Sequence, residues 1–193
     1  MLSDALCPFL ILFALCGSGS VMAAAQLVLD DRRDPGLCAA NGACWRAVTD
    51  TVMGGVSGGR LRPDQVDGRP CLRLTGEVSL ENDGGFVQAS LDLDRHGPLD
   101  ASGHAGVELE VYGNGETYNL HLRTADTRIV WQSYRASFPA PTAWRTLRLP
   151  FAAFQPHRIE RPLDLSTLRR LGLVAIGREM QVYLCLARLS LYP

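Results

Sequence analysis

Hydrophobic and polar residues alternate along most of this chain. In RPCLRLTGEVSL (69–80), Leu72, Leu74, Val78 and Leu80 fall on one side. In FVQASLDLD (86–94), Val87, Ala89, Leu91 and Leu93 do the same. Val107, Leu109 and Val111 follow in GVELEVYG, then Tyr118, Leu120 and Leu122 in TYNLHLRT. RIVWQSYRASF (128–138) reads as one longer strand with Trp131 in its middle, a core position. WRTLRLPF places Leu147 and Leu149 together, and LGLVAI and VYLCLARLSLY close the chain in strand-like runs. A period of two marks strands with one buried face. Turn signals separate them: Asp67-Gly68, Asp83-Gly84, Gly113-Asn114-Gly115 and Pro139–Pro141.

Only two stretches read as helical. Phe151–Phe154 allows one turn, and Asp164–Leu171 opens with Asp-Leu-Ser-Thr, which caps a short helix. No strand is followed by an amphipathic helix long enough for a βαβ unit. Roughly nine or ten short strands with alternating faces predict an all-β fold, an antiparallel sandwich or jelly roll.

The 193 residues suit one domain. All 19 basic residues are arginine, which excludes a Schiff-base lysine, a P-loop lysine and a Ser-Lys dyad. The formal net charge of −1 gives no general field towards nucleic acid or an acidic membrane. Residues 1–25 have the layout of a signal peptide: a short apolar run over 5–16, small residues, and Ala23-Ala24-Ala25 before Gln26. Its n-region carries Asp4 and no basic side chain. The expectation is an exported domain over 26–193, periplasmic or secreted, with no stable membrane insertion after cleavage; a misassigned start codon would make it cytoplasmic. Cys38, Cys44, Cys71 and Cys185 remain after the leader. An even number in an exported domain points to disulfides. Cys38 and Cys44 flank a small loop and are the first pair expected; Cys71 and Cys185 then tie an early strand to the last.

DTVMGGVSGGR (50–60) contains Gly55-Val56-Ser57-Gly58-Gly59, a G-x-S-x-G pattern. A nucleophile elbow needs a parallel strand before the serine and a helix after it. Here Pro63 and two glycines follow, so a serine hydrolase at Ser57 is a remote alternative. A phosphate loop lacks its lysine and its helix. The histidines form no H-x-H or H-x-x-x-H pair, and no metal or cofactor is expected. Glu81 and Asp83 offer at most part of a calcium site. Asn119, His121 and Arg123 share the polar side of one strand: a solvated face, or a hydrogen-bonding surface on a concave sheet. Trp131 and Trp144 are the aromatic candidates for stacking on a sugar ring.

Five segments in order resemble the complex I intermediate-associated protein 30 family. They are Trp45…Asp50-Thr51-Val52-Met53-Gly54-Gly55-Val56-Ser57, Asn82-Asp83-Gly84-Gly85-Phe86, Val111–Tyr118 with its Gly-Asn-Gly, Trp144…Leu149-Pro150-Phe151…Phe154, and Pro162-Leu163-Asp164…Leu171-Gly172-Leu173. The similarity runs from about Leu27 to Leu191. Gly177-Arg178-Glu179-Met180 lacks the Gly-Pro-Phe that often enters the last strand of that family. The resemblance implies a galactose-binding-like jelly-roll sandwich and no catalytic residues. It makes Ser57 part of a shaped loop in which Asp50, Ser57 and Asn82 bond loop amides. Eukaryotic members assemble respiratory complex I, and related sandwiches bind carbohydrate. The leading expectation is therefore a non-enzymatic, chaperone-like module holding a protein partner through Trp45, Asp50, Met53, Gly54, Gly55, Ser57, Asn82, Gly84, Gly85 and Phe86. The alternative is a carbohydrate-binding module using Asn119, His121, Arg123, Trp131 and Trp144.

Overall fold

The computed structural model describes residues 25–93 and 95–193. The expected leader lies almost wholly outside them. Twelve strands form two antiparallel six-stranded sheets. They are β1 (Leu27–Asp30), β2 (Arg46–Thr49), β3 (Gly58–Val66), β4 (Arg69–Val78), β5 (Phe86–Asp92) and β6 (Gly106–Gly113), then β7 (Thr117–Thr124), β8 (Ser133–Pro139), β9 (Arg145–Pro150), β10 (Gln155–His157), β11 (Leu168–Ile176) and β12 (Met180–Tyr192). One sheet runs β3-β4-β12-β6-β9, with β1 pairing the end of β12. The other runs β10-β8-β7-β11-β5-β2.

The alternating residues fill the space between the sheets. Val107, Leu109 and Val111 of β6 face inward with Leu184, Leu186 and Leu189 of β12. Val87, Ala89 and Leu91 of β5, Leu120 and Leu122 of β7, and Leu171 and Leu173 of β11 come from the second sheet. Burial of these side chains is the main force holding the sheets together. The expected all-β sandwich is thus the observed one.

Three elements differ from the sequence reading. The run 128–138 is not one strand: β8 starts at Ser133, and 128–132 form a loop. Its cause is local. The Gln132 side chain accepts the N–H groups of Arg128 and Ile129, and Arg123 donates to the carbonyls of Thr127 and Ile129. These bonds curl the segment out of the ladder. Trp131 is accordingly 48% exposed and not in the core. Asp164 does cap a turn, accepting from Ser166 N, but the turn covers only Leu165–Thr167 before β11 begins. Pairing of β11 with both β5 and β7 outweighs the short helix. Finally, Gly58–Val66 is a strand despite Pro63. It is the outer strand of its sheet, where a missing N–H is tolerated.

Both expected disulfides are present, Cys38–Cys44 and Cys71–Cys185. The second joins neighbouring strands β4 and β12. The first closes the 38–44 loop above Trp45, whose ring is buried and whose Nε1 donates to Asp30 at 2.7 Å. Asp30 also pairs with buried Arg32 at 2.8 Å. No helix among the described residues is long and apolar enough to cross a membrane.

A candidate binding cleft on the outer face of one sheet

The outer face of the β10-to-β2 sheet carries a cleft of about 680 Å³. Its floor is one transverse row of residues. Register places Arg135 of β8 beside His121 of β7, His121 beside Gly172 of β11, Gly172 beside Ser90 of β5, and Ser90 beside Arg46 of β2. All five line the cleft. They face outward because their strand neighbours face the core, as alternation requires. Gly172 keeps the middle of the row low: a Cβ there would sit 2.7 Å from the Gln88 amide nitrogen.

One wall comes from the turn that precedes the G-x-S-x-G segment and from the Gly84-Gly85-Phe86 turn. Val52 and Met53 lie in a 3-10 turn, Asp50–Met53, directly after β2. Gly84, Gly85 and Phe86 lead into β5. The Asp50 carboxylate joins the two. It is fully buried and accepts Ser57 N at 2.9 Å, Ser57 Oγ at 2.5 Å, Gly85 N at 2.5 Å and Phe86 N at 3.2 Å. Burial alone would raise its pKa. The bonds from the Ser57 hydroxyl and from the Gly85, Phe86 and Ser57 amides outweigh that and hold the carboxyl below the ordinary carboxylate range. Side chains cannot be added around it. A Cβ on Gly55 would fall 2.5 Å from Asp50 Oδ1, and one on Gly84 2.6 Å from Oδ2.

Ser57 is equally enclosed. It is 1% exposed, and its hydroxyl also accepts Ser79 N at 3.0 Å. Its hydroxyl is committed to Asp50 and Ser79, the place of a serine in a shaped loop. Trp45, Asp50 and Ser57 are all buried, Asp50 and Ser57 beneath this wall. Asn82 adopts a left-handed φ of 56 in the turn Glu81–Asp83 and is not among the donors to Asp50. Among the described residues no group of three potential metal ligands gathers, at Glu81 and Asp83 or elsewhere.

The other wall is the 128–132 loop, where Val130 and Trp131 line the cleft. His121, at the floor, is 8% exposed, and its Nε2 has no hydrogen-bond partner among the described residues. Burial, then the charge of Arg135 and His157, pushes its pKa down to about 3, so the ring is neutral at pH 7. Arg123 also lines the cleft and ties down the Trp131 loop. Asn119 lies on the same sheet face and bonds Ser137 at 3.1 Å.

Trp144 is elsewhere. It immediately precedes β9 of the other sheet, beside Tyr112 and under the Arg69 guanidinium, and its Nε1 donates to the Val66 carbonyl. Arg135, Gln88, Ser90, Arg46 and Arg170 are cleft residues that the sequence reading missed. Gln88, Ser90 and Arg135 sit at polar positions in alternating runs, so the signal for an outward face was there for these three; Arg46 and Arg170 lie in no such run, and nothing local showed that the five share one cleft.

The family model described as Complex I intermediate-associated protein 30 (CIA30) matches residues 39–184. The chain belongs to that family. The match spans both walls and the floor of the cleft. No curated protein matches the chain. Among solved structures, it is similar to the family 11 carbohydrate-binding module of the cellulosomal cellulase Lic26A-Cel5E of Clostridium thermocellum, at 12% identity and TM-score 0.69, over 89% of this chain and 96% of that one. The family 11 module of the same organism in complex with a β-1,3-1,4-mixed-linked tetrasaccharide gives TM-score 0.68 at 12% identity, over 89% and 97% of the two chains. A family 30 carbohydrate-binding module gives TM-score 0.60 at 15% identity, over 87% and 86%. These likenesses establish a shared sandwich fold for this CIA30 chain.

Proposed function

We propose that this CIA30 protein is an exported, non-enzymatic binding module that holds a saccharide in the cleft. The observation that carries this reading is the position of Trp131. Its indole is half exposed on one wall, above a floor of arginine, histidine, serine and glutamine side chains. A pyranose presents apolar C–H faces to an aromatic ring and hydroxyls to polar groups at its edges. A volume near 680 Å³ suits a short oligosaccharide. The fold neighbours described as carbohydrate-binding modules support the reading, and so do two disulfides, which persist outside a reducing cytosol. A glycan array tests it: the wild type gives specific hits that Trp131→Ala loses. No hit with folded protein overturns it.

A second reading has its own observation. Val52, Met53, Val56 and Leu80 are all large apolar residues with substantial exposure, and they gather at the G-x-S-x-G loop and the turn beside it. Such a patch suits a protein partner in a chaperone or assembly role, in keeping with the family's description as an intermediate-associated protein. Val56 lies outside the cleft lining. If Val56→Asp abolishes capture of a native partner while Trp131→Ala does not, the protein-holding reading replaces the saccharide one.

A further inference from the structure

We propose that the cleft selects an acidic saccharide, with a carboxylate or sulfate seated on Arg135 beside His121; this rests on the saccharide reading above. The cleft is lined by four arginines, Arg46, Arg123, Arg135 and Arg170, and by no carboxylate. That is a marked local excess in a chain whose net charge is −1.

The four arginines are not equivalent. Arg46 and Arg170 both pair with Asp92, each at 2.6 Å. Arg123 donates to the Thr127 and Ile129 carbonyls of the Trp131 loop. Arg135 makes a single bond among the described residues, from Nε to Ser133 Oγ at 2.9 Å. Its terminal nitrogens are therefore left to whatever enters the cleft. A planar guanidinium presents two parallel donors to a carboxylate or sulfate.

His121 supplies the second, independent observation. It is the cross-strand neighbour of Arg135, more than nine-tenths buried, and its Nε2 is without a partner. A buried polar atom left unpaired destabilises the fold unless something completes it. An anion held by Arg135 brings oxygen atoms to that position. Burial and the positive charge of Arg158 also lower the Arg135 pKa, and burial and Arg170 and Arg169 lower that of Arg123. A negative ligand relieves this crowding of cations; a neutral one leaves it in place.

The test uses isothermal titration with three probes: an oligogalacturonate, the same oligosaccharide with its carboxyl groups reduced to alcohols, and a sulfated galactan oligosaccharide. The first and third distinguish carboxylate from sulfate as the source of charge. The expected result is that at least one acidic probe binds roughly tenfold or more tightly than the neutral one. Arg135→Gln is expected to remove that difference, read as the ratio of acidic to neutral affinity within the variant. Equal binding of neutral and acidic probes, or an advantage for acid that survives in Arg135→Gln, overturns the acidic preference while the saccharide reading stands. Failure of all three probes and of a neutral glycan array overturns both. Should Arg135→Gln fold poorly, Arg135→Lys is the substitute: it keeps the charge and loses the fork, and a partial loss of the acidic advantage is expected.

Discussion

The Asp50 carboxylate accepts the Gly85 backbone N–H at 2.5 Å, across 35 residues of chain. This bond joins the turn after β2 to the turn before β5, and so fixes one wall of the cleft. Because Ser57 and Phe86 donate to the same carboxylate, a single side chain organises three backbone segments. Asp50→Ala leaves those donors buried without an acceptor. A loss of about 3 kcal/mol or more in urea unfolding is expected. Ser57→Ala removes one hydroxyl and should cost about 1–2 kcal/mol. A Ser57→Ala protein as stable as the wild type would mean that the loop does not depend on this network.

The same enclosure predicts chemistry that does not happen. Ser57 should remain unmodified by a fluorophosphonate probe under native conditions, as read by mass spectrometry. Stoichiometric labelling would restore the hydrolase reading.

Gly84 and Gly54 make opposite demands. At Gly84 the obstacle is space, because a Cβ meets Asp50 Oδ2 at 2.6 Å and the Glu81 carbonyl at 3.0 Å. At Gly54 there is open space, but φ is 94, a left-handed conformation. Gly54→Ala should cost about 1 kcal/mol through backbone strain. Gly84→Ala should cost more and should also lower the melting temperature of the wall as seen by hydrogen exchange. The reverse ranking would contradict the packing around Asp50.

His121 and Asp50 each contribute a pH dependence to the stability. His121 has a folded pKa of about 3 against an ordinary 6.5. The unfolded chain therefore binds the extra proton between those values, and stability falls as pH drops from about 6.5 towards 3. The slope should approach about 1.4 kcal/mol per pH unit within the window. Asp50 has a folded pKa below its ordinary 3.8. Its contribution is present above that value and is lost as pH falls further. His121→Gln should flatten the upper part of the curve, and Asp50→Asn the lower part. A wild-type stability that is flat from pH 7 to 4 would show that the His121 pKa is not lowered in the folded state.

Export and oxidation can be checked together. Protein taken from its native host should begin at Gln26 and show no free thiol at Cys38, Cys44, Cys71 or Cys185. Reduction of Cys71–Cys185 releases the tie between β4 and β12 and should lower the melting temperature. A mature chain that retains Met1 with free thiols would remove the support for export.

The alternation of residues determined the sandwich. A period of two repeated across many short runs leaves each strand one apolar face, and two sheets must then cover one another. It also determined that Asn119, His121 and Arg123 share a face, and the glycines around 54–59 and 84–85 marked a shaped loop. The sequence did not reveal how β7, β11 and β5 lie side by side, because pairing between strands far apart in the chain leaves no local pattern. Only that pairing puts Arg135, His121, Gly172, Ser90 and Arg46 in one row. Trp131 shows the same limit from the other direction. Its neighbours have the composition of a strand, yet bonds from Arg123 and Gln132 pull the segment into a loop and turn the indole from core to cleft wall. Local composition decides which backbone shapes a segment tolerates. Side-chain-to-backbone bonds, close in sequence around Trp131, and strand pairing between distant residues decide which of those shapes is kept, and at this cleft they decide where the charge and the aromatic ring meet.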